Sequence, residues 1–294
     1  MPLMTTSPIA AALTGHALAV RAERIDTDNW FDDFAAAPAQ VAAALGLAAR
    51  REGALAMVRS RIPFSHFNMV LTLGCPAAAD AAAFETIERF YAEGGAGRHW
   101  VLVNEHCRPA DLAQQLLARG YQPDGAWERV VLQDAPAEQR AQWTAHAQGC
   151  DLVTPASAAA WSGFLLGCYG MPPPIGEWLQ ALVGRRGWTH AIRREGGRAG
   201  GKVVMARSLY QDGEGWAWLG IDAPVPGVMA PCFEDDQKVT AALLADAATR
   251  GARAFVSDIE VPSPTRDREA YRRWGELGFR AVYRRALYVK AHAG

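Results

Sequence analysis

The sequence has almost no charge excess: 30 lysines and arginines stand against 31 aspartates and glutamates, a formal net charge of −1. Bulk nucleic-acid binding relies on a basic surface, so the balance argues against it, though not against a local basic patch. A CxxC pair is also missing. The cysteines are odd in number and scattered, at 75, 107, 150, 168 and 232, which points to a reduced, cytoplasmic interior rather than a disulfide framework. No apolar run reaches the roughly 20 residues that a membrane-crossing helix needs. The opening MPLMTTSPIAAALTGHALAV lacks the basic segment of a secretory leader and reads as a lead-in to the first folded unit.

What is present is apolar material and periodicity. Half of the 294 residues are hydrophobic, enough for one large domain or two ordinary ones. In the first half, HFNMVLTLG (66–74) reads as a strand and PAAADAAAFETIERFYAEGG (76–95) as a helix closed by paired glycines. HWVLVNEH (99–106) is a strand, PADLAQQLLARGY (109–121) a helix with Pro at its start and Gly at its stop, and AWERVVLQ (126–133) a strand. The second half repeats this order. GWTHAIRRE (187–195), GKVVMARSLY (201–210) and GWAWLGID (215–222) are strands joined by glycine-rich turns of hairpin chemistry. A helix after Asp236, a strand at 252–261, a helix at 267–279 and a strand at 283–290 follow. LLARGY…WERVVL and WGELGF…YRRALYV occupy matching places, which implies a duplicated unit. The small, polar stretch 134–157 reads as the linker and divides the chain into 1–140 and 141–294. Between 161 and 184, Pro172, Pro173 and Pro174 forbid a continuous helix and predict two short ones.

The βββαβαβ order of the second half resembles the GNAT (general N-acetyltransferase) superfamily. The whole chain resembles bacterial tandem-GNAT proteins, in which an N-terminal half without a cofactor site precedes a catalytic-type C-terminal half. FNMVLTLG, RPADLAQQLLARGY, EWLQALVGRRGWTH, WAWLGIDAPVP and AYRRWGELGFRAVYRRALYV carry the resemblance, which runs from residue 60 to 292 or so. It implies an α+β fold of two mixed-sheet, GNAT-like domains in tandem, the first degenerate. It also implies acyl-CoA-dependent N-acyl transfer to a small-molecule amine by direct attack on the thioester, with no nucleic acid, membrane or metal involved. The adjacent pair His106-Cys107 is too little for a metal site. Cys232 reads as a loop cysteine, and His66, His99 and His190 as ordinary strand-end histidines.

By resemblance, the strand around Leu219, Gly220 and Ile221 polarises the thioester carbonyl, and a helix start at Gln237, Lys238, Val239 and Thr240 receives the pyrophosphate. Asp258 and Glu260 alternate onto one face of the partner strand as base or amine-binding groups. The acid position, four residues before Gly278, holds Trp274, so Tyr271 one turn earlier is the candidate acid.

The phosphate motif departs from the family's Q/R-x-x-G-x-G/A. This chain reads Asp235-Asp236-Gln237-Lys238-Val239-Thr240, with both glycine places lost and an acid in the arginine place. Acids at a helix N-terminus favour the helix by about 0.3–1 kcal/mol each. Against a bound pyrophosphate, a like-charge pair at ~5 Å costs roughly 3 kcal/mol at an effective dielectric of about 20. The expectation is that acetyl-CoA or another acyl-CoA binds weakly or in an altered way, with Lys238 compensating. The alternative is a catalytically degenerate GNAT-like module that binds a ligand or a protein.

Overall fold

The computed structural model describes residues 12–197, 200–226, 228–260 and 264–292, with side chains described for all of these except 260–268. The first half runs α1 (Gly15–Ala36), α2 (Ala39–Leu45), β1 (Ala48–Glu52), β2 (Leu55–Arg59), a 3-10 turn (Ser65–Phe67), β3 (Met69–Val70), α3 (Ala81–Gly94), β4 (Arg98–Asn104), α4 (Leu112–Ala118) and β5 (Gln122–Gln133). The second runs α5 (Ala137–His146), β6 (Cys150–Leu152), α6 (Ala158–Tyr169), α7 (Pro173–Leu182), β7 (Trp188–Arg194), β8 (Val203–Gln211), β9 (Trp216–Ala223), α8 (Phe233–Thr249), β10 (Ala254–Glu260), α9 (Pro264–Glu276) and β11 (Arg280–Ala291).

All these strands join one mixed sheet in the order β1-β2-β3-β4-β11-β5-β10-β9-β8-β7-β6. Read inward, four successive strands (β1 to β4) come before the exchanged central pair at one end and five (β6 to β10) at the other, so β7 to β10 repeat the order of β1 to β4 and β6 is an added edge strand. Each half contributes one parallel neighbour pair, β3 with β4 and β9 with β10. The last strand of each half then crosses over. β11 lies antiparallel to β4, β5 lies antiparallel to β10, and β5 and β11 pair with each other at the middle. Each half thus completes the sheet of the other.

Side-chain alternation along the central strands covers both faces. On β5, Val130 and Leu132 join a core with α5, α8 and α9, whereas Val131 turns to the opposite face and packs with α1. The helices α1, α6 and α7 share that second face with residues of both halves. Among the described residues, no helix is long and apolar enough to cross a membrane.

Three expectations are corrected. The stretch 134–157 is not a plain linker but carries α5 and β6. Its small, polar composition conceals one anchor, Trp143, which is 1% exposed and donates its indole N–H to the Leu277 carbonyl at 3.2 Å. The helix expected from Pro76 begins at Ala81, because the Asp80 side chain caps it by accepting the Ala83 amide at 2.8 Å. The lead-in expected at residues 1–20 is, from Gly15, the start of the 22-residue helix α1; residues 1–11 lie outside those described.

Candidate active site

The parallel pair β9/β10 is short. Trp216, Ala217 and Trp218 face Ala254, Phe255 and Val256, and the pairing stops there. Beyond it β9 carries an extra residue against β8: Gly220 opposes Ser208 but Ala223 opposes Ala206. Ile221 sits in this bulge at a φ of 46°, a conformation that a β-branched residue adopts only where its surroundings impose it. Ser257 spans the opening by donating its hydroxyl to the Leu219 carbonyl at 3.0 Å. The strands then diverge onto a cavity of about 430 Å³, with Leu219, Gly220, Ile221 and Asp222 on one wall and Ser257 and Asp258 on another.

The other walls come from both halves. Asp26, Asn29, Trp30 and Asp33 of α1 line the cavity, and their spacing of three, one and three puts them on one helix face. Phe64, His66 and Phe67 come from the turn before β3. Met171 at the proline break contributes with Ile175 and Trp178 of α7. The break expected from the proline run therefore forms part of this wall, with α6 ending at Tyr169, capped by Gly170, and α7 starting at Pro173.

Beneath the cavity lies a buried ion cluster. Arg129 of β5 meets Asp26 at 2.8 Å and Asp258 at 3.1 Å; Arg285 of β11 meets Glu23 at 2.9 Å, Asp26 at 2.8 Å and Asp258 at 2.6 Å. The Tyr283 hydroxyl donates to Glu23 at 2.9 Å. Burial raises the pKa of Asp258, and the two guanidiniums pull it back. His66 is solvent-exposed at the cavity wall, with its ring stacked on Trp127 at 4.8 Å. Asp33 differs in having no ion pair among the described residues. It is 4% exposed, its Oδ1 has no hydrogen-bond partner there, as is also true of Asp26 Oδ1 and Asp258 Oδ1, and its pKa is raised to about 8, first by burial and then by the charge of Asp32. Arg185 opposes that rise from a distance, but its guanidinium is taken by Asp32 at 2.6 Å.

Of the residues expected at the site, Asp258, Leu219, Gly220 and Ile221 meet at this cavity. Tyr271 is half-buried against the core under α8 and is not among the cavity's lining residues. The side chain of Glu260 lies outside those described. The helix expected after Asp236 begins at Phe233, with Cys232 as its N-cap, so Glu234, Asp235 and Asp236 fill its first turn. The Asp236 amide already bonds the Cys232 carbonyl at 2.9 Å, which leaves the unbonded amides of the helix start at 233–235 rather than at 237–240. Val239 and Thr240 are fully buried, and Gln237 is bonded to Glu276 and Arg273 at 2.9 and 2.8 Å. Lys238 pairs with Glu234 at 2.5 Å, Asp235 with Arg193, and Asp236 with Arg207 at 2.7 Å. Each acid of the first turn therefore has its own cation.

The first half has the same parallel pair but no such opening. Just past β3 and β4, the Arg108 amide bonds the Gly74 carbonyl at 2.9 Å and the Ala79 amide bonds the Arg108 carbonyl at 2.8 Å. Leu73, Cys75, Cys107 and Leu112 fill the space as core.

Sequence reading missed the contribution of α1. Its signal was present in IDTDNWFDDF (25–34), where acids and Asn recur at helical spacing among apolar residues. A polar stripe that is buried marks a helix facing a functional cavity rather than solvent.

No protein-family model matches the sequence, and no curated protein matches it. Solved structures do match. A protein described as a "GCN5-related N-acetyltransferase from Kribbella flavida" is 13% identical, with 96% of this chain and 98% of that one covered at a TM-score of 0.55. A "tandem GNAT protein from the clavulanic acid biosynthesis pathway" is 14% identical, with 96% and 98% covered at a TM-score of 0.50. At such identities the likeness is one of fold. It agrees with the two parallel pairs, the bulged strand and the end-to-end repeat of the sheet order: this chain has the tandem GNAT fold, with an open site in its second half and a closed one in its first.

Proposed function

We propose that this protein is an acyl-CoA-dependent N-acyltransferase that acts on a small amine by direct transfer. One observation carries the reading: the β9/β10 pair stops at Trp218 and Val256 and opens onto a cavity of about 430 Å³, within the roughly 300–1,000 Å³ usual for small-molecule sites. In this reading the acyl thioester lies in the opening, beside the backbone of Leu219, Gly220 and Ile221. The amine approaches from the cavity. Its nitrogen bonds to the acyl carbon, the carbon–sulfur bond breaks, the nitrogen gives up a proton to a base, and the leaving thiolate takes one up. Asp258, held by Arg129 and Arg285, supplies fixed charge under the reacting atoms. The strand-end opening fits the acyl and pantetheine portion well. The helix start fits the pyrophosphate less well, since acids stand beside the amides at 233–235.

That mismatch supports a second reading, a GNAT-like module that binds a small ligand without transferring an acyl group. Thiol release from acetyl-CoA in the presence of a panel of primary amines separates the two. The enzyme reading expects amine-dependent thiol release well above hydrolysis. Amine binding with no such release, for acetyl-CoA and for longer acyl-CoAs alike, leaves the second reading.

A further inference from the structure

Amide formation needs a group that takes a proton from the amine, and most polar side chains of the cavity are already committed. Asp26 and Asp258 are held by the arginine cluster, and Asp222 is held by Arg207 at 3.2 Å. A carboxylate paired with a guanidinium is a weak base. Burial, with the charge of Asp32, keeps Asp33 protonated at neutral pH. Ser257 donates its hydroxyl to the Leu219 carbonyl, and Tyr169 donates its own to the Asp222 carbonyl. The guanidiniums of Arg207 and Arg285 have no lone pair to offer.

His66 is the histidine of this wall. It reads from the sequence as a strand-end residue but sits in the 3-10 turn before β3, exposed at the cavity. Its ring stacks on Trp127 of β5, and Trp30 of α1 stands 6.1 Å away. The stack orients an imidazole that solvent still reaches. Nδ1 lies 3.4 Å from the Ser65 hydroxyl, whereas Nε2 has no partner among the described residues. In the tautomer with its proton on Nδ1, facing Ser65, the Nε2 lone pair is free. The charges acting on the ring are Asp222 of β9 and Asp26 of α1, which favour imidazolium, and Arg285 of β11, which opposes it. Imidazole is the side chain that both takes up and releases a proton near neutral pH.

We infer that His66, a residue of the first half, is the proton acceptor for the reaction in the second half's opening. The inference rests on the N-acyltransferase reading. The bound ammonium gives one proton to Nε2 and so gains a lone pair. That lone pair bonds to the acyl carbon, and the carbon–sulfur bond breaks. One of the two protons still on the nitrogen goes to the sulfur, which departs as the thiol, and the amide keeps the other. His66, at an exposed wall, passes its proton to solvent. The half whose own strand opening is closed thus contributes a catalytic residue to the half whose opening is not.

The test is the pH dependence of amine-dependent thiol release by the full chain, wild type against His66→Gln, from acetyl-CoA or a longer acyl-CoA with 2-phenylethylamine, hexylamine and putrescine as acceptors. With His66 as acceptor, the ammonium reacts at a neutral imidazole, so wild-type kcat/KM for the amine should level off above the imidazole's pKa. The variant can use only amine that is already free, so its kcat/KM should climb tenfold per pH unit towards the amine's own pKa near about 10. The deficit should be about 10²-fold or more at pH 7 and shrink as pH rises, with KM for the acyl-CoA unchanged. Taken as the ratio of the two proteins, groups common to both, Asp33 among them, cancel. Parallel profiles, whether or not turnover is lower in His66→Gln, keep the transferase and overturn the assignment of His66. No amine-dependent release by wild type removes the transferase reading and this step with it.

Discussion

Asp33 shows at one residue how a buried carboxyl ties the stability of the fold to pH. Its pKa lies near 3.8 in the unfolded chain and about 8 in the folded protein, because burial and Asp32 outweigh Arg185. The folded state therefore keeps a proton that the unfolded state has released. The sign follows: this group's contribution is fully present below about pH 4 and is lost as pH rises through about 8. Asp33→Asn removes the effect, so the variant should gain on wild type by about 1.4 kcal/mol per pH unit between pH 5 and 8, levelling off above. Urea midpoints at pH 5, 7 and 9 read this directly, and a difference that does not change with pH contradicts it. Arg285 makes the opposite case. It holds Glu23, Asp26 and Asp258 together from β11, and Arg285→Met leaves three buried carboxylates with Arg129 alone. Breaking a buried ionic cluster from one side costs about 3–5 kcal/mol, and chemical denaturation at pH 7 should show a loss of that size.

Among the elements, β9 and α8 decide what the opening holds. A Cβ on Gly220 would stand 2.8 Å from the Trp218 indole nitrogen. Gly220→Ala should therefore push that ring into the cavity and lower kcat/KM at least tenfold, with a thermal midpoint within a few degrees of wild type. Unchanged turnover would place the acyl group elsewhere. At α8, Asp235 occupies Arg193. Asp235→Asn removes one acid and frees one cation beside the open amides, so acetyl-CoA should bind several-fold tighter, less so at high salt. Calorimetry at low and high ionic strength checks both parts. These elements were unequally legible in the sequence. The strands of the second half were readable because Val, Ile and Trp alternate between glycine-rich turns. The break at Pro172 to Pro174 was readable because proline cannot continue a helix. The start of α8 was not, since Cys232 caps it without a side-chain hydrogen bond, and the acids that looked like a cap are its first turn. Nor was α1, whose inward face is polar because it looks onto a cavity. A reading that seeks an apolar stripe passes over such a helix.

At the scale of the whole molecule, the repeat in the sequence is real, but neither half closes on itself. β5 ends the first half and pairs with β10 of the second; β11 ends the second and pairs with β4 of the first. The registers run from Trp127 opposite Glu260 to Gln133 opposite Ala254, and from Asn104 opposite Arg285 to Arg98 opposite Ala291. Local sequence patterns fix which segments are strands, but not which of two equivalent edges a last strand joins, so this exchange was invisible before the structure. Its consequence is mutual dependence. A chain ending near residue 149 would expose the edge of β4 and strip Arg129 of Asp258; a chain starting there would leave β10 without its β5 neighbour and Arg285 without Glu23 and Asp26. Unpaired central edges favour aggregation, and buried charges without partners cost several kcal/mol each. Residues 1–149 and 150–294 made separately should therefore be unfolded or aggregated, whereas the two made together should assemble into one soluble particle of the mass of the intact chain. Circular dichroism and light scattering on the separate and combined halves decide this. A first half that is folded, monomeric and cooperative on its own would mean that the exchange of β5 and β11 is not what holds the molecule together.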